Sequence, residues 1–84
     1  MTLEVNLWNR DLLVSEAQRD RMVDYILTHL SRCPQGRQSV SFLTDMVRME
    51  TRLKFPTRMT DAETMFEALG FTLVREGRVT YVTL

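Results

Sequence analysis

Six cationic side chains are the residues whose type and spacing could do chemistry. Arg48 and Arg52 lie one helical turn apart, Lys54 and Arg58 come soon after, and Arg75 and Arg78 flank a glycine-bearing turn. Guanidinium and ammonium groups donate to phosphate or carboxylate oxygens. Such a set could grip a phosphate backbone, and could equally meet an acidic protein surface. The ordinary alternative is a solvated helix face followed by turn residues. Eleven basic residues balance eleven acidic ones. Bulk attraction to nucleic acid is therefore absent, and any such contact must come from local clustering of charge.

Other chemistries find little support. His29 and Cys33 are four residues apart, a spacing that could put two ligands on one helix face. Zinc takes about three or four protein ligands, and no second Cys/His pair exists, so no metal is expected. Ser, Asp and His are present without a nucleophile elbow, and none of the three glycines belongs to a phosphate loop. The expectation is a non-enzyme with no cofactor and no small-molecule substrate. The methionines at helical spacing read as core. Trp8 reads as a core anchor, with an interface role as the alternative. One cysteine cannot make an intramolecular disulfide, which suits a reducing cytoplasm. The apolar runs are too short for a bilayer, and the N-terminus lacks a basic segment followed by an apolar one. No membrane association is expected.

The elements that must position these residues can be read from the pattern of apolar side chains. With 84 residues the chain is expected to be one small domain: residues 1–14 a strand and lead-in, 15–69 a three-helix unit, 70–84 a hairpin. "TLEVNLW" alternates, with Leu3, Val5 and Leu7 on one side and Thr2, Glu4 and Asn6 on the other, as a half-buried strand does. "SEAQ" is a capping-box pattern that starts a helix at Ser15, with Met22, Val23, Ile26, Leu27 and Leu30 facing inward. Pro34 and Gly36 predict its end near Arg32. A short strand is expected at residues 39–40. Ser41 is the expected N-cap of a second helix reaching about Leu53, burying Phe42, Leu43, Met46, Val47, Met49 and Leu53 and leaving Asp45, Arg48 and Arg52 in water. Lys54-Phe55-Pro56 breaks that helix, because the residue before a proline disfavours helical backbone. "TDAE" predicts a capping box at Thr60 for a third helix that buries Ala62, Met65, Phe66 and Leu69 and stops at Gly70.

The closing stretch, "GFTLVREGRVTYVTL", predicts a β-hairpin. A two-residue Glu76-Gly77 turn would split the apolar side chains between faces. A three-residue loop, Arg75-Glu76-Gly77, pairs Leu73 with Val79 and Phe71 with Tyr81, and keeps those four on one face. That register is expected, with Val74 and Val82 on the outer side, partly covered by the N-terminal strand.

The order β-α-(β)-α-α-β-β is thus an α+β fold, three helices packed on a C-terminal hairpin with an added N-terminal strand. On "SVSFLTDMV", "MTDAETMFEALGF" and "TLVREGRVTYVTL" it resembles a winged helix–turn–helix. That resemblance implies a DNA-binding regulator whose third helix enters the major groove. Here the outward residues of that helix are Glu63, Thr64 and Glu67, beside Asp61, and phosphate repels carboxylates. Two readings result. One is a module that holds double-stranded DNA through the six cations. The other is a protein-binding module, an adaptor or a small inhibitor of the kind phages and mobile elements carry, acting on a larger machine.

Overall fold

The computed structural model describes residues 2–84. The chain runs through β1 (Thr2–Asn6), β2 (Asp11–Ser15), α1 (Glu16–Ser31), a 3-10 turn at Pro34–Gly36, β3 (Arg37–Ser39), α2 (Val40–Thr51), α3 (Met59–Ala68), β4 (Thr72–Glu76) and β5 (Val79–Thr83). The fold is α+β, with the helices and closing hairpin in the expected winged-helix-like order. The strands form two antiparallel sheets, β1-β2 and β3-β5-β4.

β2 is one strand more than the sequence pattern suggests. Val5 pairs with Leu12 and Leu3 with Val14, so these four share the inner face, where Val5 and Val14 are buried. "NRDLLV" is therefore the return half of an N-terminal hairpin and not a lead-in. Leu13 hid this strand: it sits on the outer face, 64% exposed, and breaks the alternation that would reveal the pairing. β1 thus belongs to a two-stranded sheet of its own, separate from the sheet of the C-terminal hairpin, whose added edge strand is β3.

α1 starts as its capping box demands. The Ser15 hydroxyl accepts from the Gln18 backbone N–H, and the Gln18 side chain accepts from the Ser15 N–H. Met22, Ile26 and Leu30 are buried, whereas Leu27 lies at the edge of the inward stripe and is largely exposed.

α2 differs from expectation in both start and face. Its N-cap is Ser39, whose hydroxyl accepts from the Phe42 N–H, and the helix ends at Thr51, before Leu53. The inward stripe is Val40, Leu43, Thr44, Val47 and Thr51, at helical spacing. Two threonines inside turn Phe42 and Met49 out to water, 49% and 68% exposed. Thr51 can sit inside because its hydroxyl donates to the Val47 carbonyl and accepts from the Leu53 N–H.

α3 also starts earlier than its apparent capping box. Arg58 is the N-cap without a side-chain bond, and its carbonyl accepts from the Ala62 N–H at 2.8 Å. Thr60 is then already helical, and its carbonyl accepts from the Thr64 hydroxyl. The helix closes with Phe71 N–H on the Phe66 carbonyl and Gly70 N–H on the Glu67 carbonyl, with Gly70 at φ +98. This is a Schellman end, where glycine avoids the Cβ penalty of a left-handed residue. Ala62, Met65, Phe66 and Leu69 are buried as their spacing predicts.

The C-terminal hairpin takes neither expected register. Glu76 pairs with Val79, Val74 with Tyr81 and Leu73 with Val82, across a two-residue Gly77-Arg78 turn. Gly77 is at φ +61 while Arg78 has ordinary negative φ, the pattern of a type II′ turn. The twist match of that turn outweighs collecting every apolar side chain on one face. Val82 is inside and fully buried, opposite the half-buried Leu73, while Val74, Val79 and Tyr81 take the outer face. β3 then adds to β5, with Ser39 opposite Tyr81. The core lies between the sheets and helices, centred on Phe66, whose ring meets Phe55 at 4.9 Å between centroids.

Candidate functional site

α2 ends on a residue that its conformation does not favour. Arg52 is left-handed, φ +58, with its N–H on the Arg48 carbonyl. For a residue with a Cβ this conformation costs about 1–2 kcal/mol, and glycine would take it freely. The result is that the Arg52 side chain projects into solvent beside Lys54, just before the chain descends to bury Phe55 and Pro56.

Around this α2–α3 connection the surface holds three shallow hollows in a row. The central one is lined by Arg48, Arg52, Lys54 and, from the N-terminal hairpin, Arg10, with no carboxylate in its lining. Arg52 and Lys54 also border a hollow against β2 and α1. Arg10 and Thr57 border the third, which adds Asn9, Arg58 and Asp61. Arg48 carries a loose pairing to Asp45 at 4.0 Å on its own helix.

Trp8 belongs to this region and not to the core. It sits in the four-residue loop that joins β1 to β2, continuing the outward side of the alternation that Glu4 and Asn6 occupy, and is 71% exposed. The Arg58 guanidinium lies over its ring, 4.4 Å from the centroid. Its backbone N–H donates to the Asp61 carboxylate at 3.1 Å, and Leu7 N–H closes the loop on the Arg10 carbonyl. Asp61, in the first turn of α3, thus fastens the hairpin tip to the helix.

The structure therefore brings together Arg48, Arg52 and Lys54 directly, and Arg58 through the neighbouring hollow. Arg75 and Arg78 lie at the tip of the C-terminal hairpin and line none of the three hollows. There Arg75 folds back on the Gly77 carbonyl at 3.3 Å. Arg10 and Trp8 escaped sequence reasoning. Their signal was "NLWNRDLLV" read as strand, loop and strand, which would have put both at a hairpin tip.

A second surface is apolar. Tyr25 and His29 of α1 stack toward Phe42 of α2, with centroid distances of 5.9 and 6.1 Å, and Met46 and Met49 continue the stripe. Burial first, then Glu50 and Cys33, push the Tyr25 hydroxyl above its ordinary pKa. Gln38 bridges His29 and Cys33, at 3.4 Å from the ring nitrogen and 3.7 Å from Sγ. Among the described residues no three His, Cys, Asp or Glu side chains gather as a metal site requires. Among the described residues, too, no helix is long and apolar enough to cross a membrane. Compared with known protein families, curated proteins and solved structures, the chain matches none.

Proposed function

We propose that this chain is a non-enzymatic nucleic-acid-binding module that grips the phosphate backbone through the α2–α3 connection and the N-terminal hairpin tip. The observation that carries this reading is the central hollow. Four cations converge there with no carboxylate in the lining, in a chain of zero net charge. Local asymmetry of that kind is what phosphate recognition needs when bulk charge is absent. The left-handed Arg52 adds weight, because strain kept at a surface position points to use of its side chain.

That strain supplies the test. Arg52→Gly relieves the left-handed conformation, so the fold should hold or gain slightly, while affinity for nucleic acid falls. Lys54→Glu should weaken binding to all base sequences alike. Each lost phosphate contact should make the salt dependence of binding shallower by about one unit in log–log slope. Fluorescence anisotropy of labelled oligonucleotides at two salt concentrations measures this. Binding that ignores both substitutions would refute the reading.

One observation favours a second reading, a protein-binding adaptor or inhibitor: the exposed Phe42 and Met49 on α2. Exposed apolar stripes of this kind are common at protein interfaces. Phe42→Ala should then abolish partner capture, with nucleic-acid affinity negligible throughout.

A further inference from the structure

Resting on the nucleic-acid reading, we infer that the ligand is a single strand and that Trp8 is the platform on which one of its bases stacks. Three observations lead there. The indole is 71% exposed, yet its place is fixed: Asp61 holds its backbone N–H, and Arg58 covers one ring face at 4.4 Å. A large apolar ring held out in water, still 71% exposed with Arg58 against it, is a preformed stacking surface. Next to it, Arg10 and Arg58 border one hollow together with Asp61, whose carboxylate is engaged by the Trp8 N–H. Arg10 also joins Arg48, Arg52 and Lys54 around the next hollow, whose lining holds no carboxylate. A backbone tracking along these cations would deliver its neighbouring base to the indole. A duplex keeps its bases stacked inside, so only an unpaired strand offers one.

The rest of the surface points the same way. Groove docking of a duplex by α3 would bring Glu67 and its neighbour Glu63 up to phosphate, where carboxylates are repelled. The cations of the C-terminal hairpin, Arg75 and Arg78, border none of the three hollows around the α2–α3 connection, so they do not extend that track as a wing would.

Trp8 is the sole tryptophan, which makes it its own reporter. Its emission is monitored while single-stranded DNA, single-stranded RNA and the matching DNA duplex are titrated in turn, with anisotropy giving the affinities. The expected result is quenching by a single strand, which binds about tenfold or more tighter than the duplex. The tighter of the two single strands identifies the natural sugar. Trp8→Leu should weaken single-strand binding by roughly 5- to 100-fold, the loss of one stacked base, and leave the salt slope unchanged. Trp8→Phe should retain most of the affinity. Both substitutions are at an exposed position, and an unchanged circular-dichroism melt confirms the fold. Duplex binding equal to or tighter than single-strand binding overturns the inference and leaves the backbone-gripping reading standing. So does single-strand binding that ignores Trp8→Leu. Binding to none of the three removes both.

Discussion

The molecule contains two hairpins of equal strand length that are held in opposite ways. The C-terminal one is held locally: a two-residue turn with Gly77 at φ +61 sets the register, and β3 seals one edge. The N-terminal one has a looser four-residue loop, and its tip is held from outside, by Asp61 of α3 and by Arg58 over Trp8. A tight turn leaves little backbone or side chain to present. A longer loop pinned by tertiary contacts can present a rigid aromatic ring and a cation together, as Trp8 and Arg10 show. The surface proposed here for binding sits on the hairpin with the less regular turn, in keeping with the way loops positioned by a scaffold usually carry function.

α3 is the element that both hairpins share, since it packs against β1 and β4. Phe66, fully buried between Phe55 and the chain leading into β4, should therefore matter to both. Phe66→Ala is expected to cost about 3–5 kcal/mol, a large part of the stability of so small a domain. Denaturation monitored by Trp8 emission and by circular dichroism should give coincident transitions, in the wild type and the variant. A Trp8 transition that precedes the other would show that the N-terminal hairpin melts alone, and would break the view of α3 as a common support.

Gly77→Val isolates the local device. A Cβ built at Gly77 meets nothing within 4 Å, so any cost is conformational and not steric crowding. A β-branched residue at φ +61 should lose about 1–3 kcal/mol. The melt reads the loss, and Trp8 emission in the folded state should stay as it was. An unaffected melt would mean that the turn shifts to another register at little cost.

The same division between local and tertiary determinants decides how much was legible in the sequence. The capping box at Ser15, the α3 stripe and the Gly70 stop were readable because each depends on residues no more than about two helical turns apart. Which strand partners which was not. Leu13 disguised β2, and the outward Val74, Val79 and Tyr81 misled a register chosen to keep apolar side chains together. In α2, two inward threonines defeat a reading that sorts residues by polarity: Thr51, with its hydroxyl on the Val47 carbonyl, and Thr44, whose buried hydroxyl has no hydrogen-bond partner among the described residues. Of the candidate site, Arg48, Arg52, Lys54 and Arg58 were legible as a cluster along the chain. Arg10 and Trp8 were not, because a hairpin and a tertiary contact bring them to the site from far away in the chain, the separation of Trp8 and Asp61 being 53 residues.

The external tether of the N-terminal hairpin should be worth less than the turn at Gly77. Asp61→Ala removes the acceptor for the Trp8 N–H and should cost about 1 kcal/mol, as for an ordinary surface-side hydrogen bond. Its clearer sign is motional: the steady-state anisotropy of Trp8 emission should fall as the tip loosens. Asp61→Asn keeps a carbonyl acceptor and should restore both values. If the alanine variant leaves Trp8 anisotropy unchanged, Arg58 alone suffices to hold the tip.

The smallest effect expected is electrostatic, and it belongs to the outer face of the C-terminal sheet. Arg37 of β3 lies over the Tyr81 ring, 4.2 Å from its centroid, and bonds to the Glu76 carboxylate beyond it. That hydrogen bond first, and then the charge of Arg37, hold the Glu76 carboxyl below its ordinary pKa, against a weaker opposing desolvation. The same bond raises the pKa of Arg37, which therefore stays charged throughout the acid and neutral range and leaves Glu76 as the group whose titration breaks the pair. A carboxyl lowered in the folded state stabilises the fold fully above the ordinary glutamate pKa. The contribution disappears as pH falls through the lowered value, because the folded chain must then give up its charge pair. Glu76→Gln should lower the melting temperature slightly at neutral pH in low salt. The gap to the wild type should close as the medium is acidified past the glutamate range, and narrow with added salt, since the pair is exposed. A gap that persists in acid would assign the effect to packing against Tyr81 and not to charge. No gap at neutral pH would leave the C-terminal hairpin resting on its turn and β3 pairing alone, and sharpen its contrast with the tethered N-terminal one.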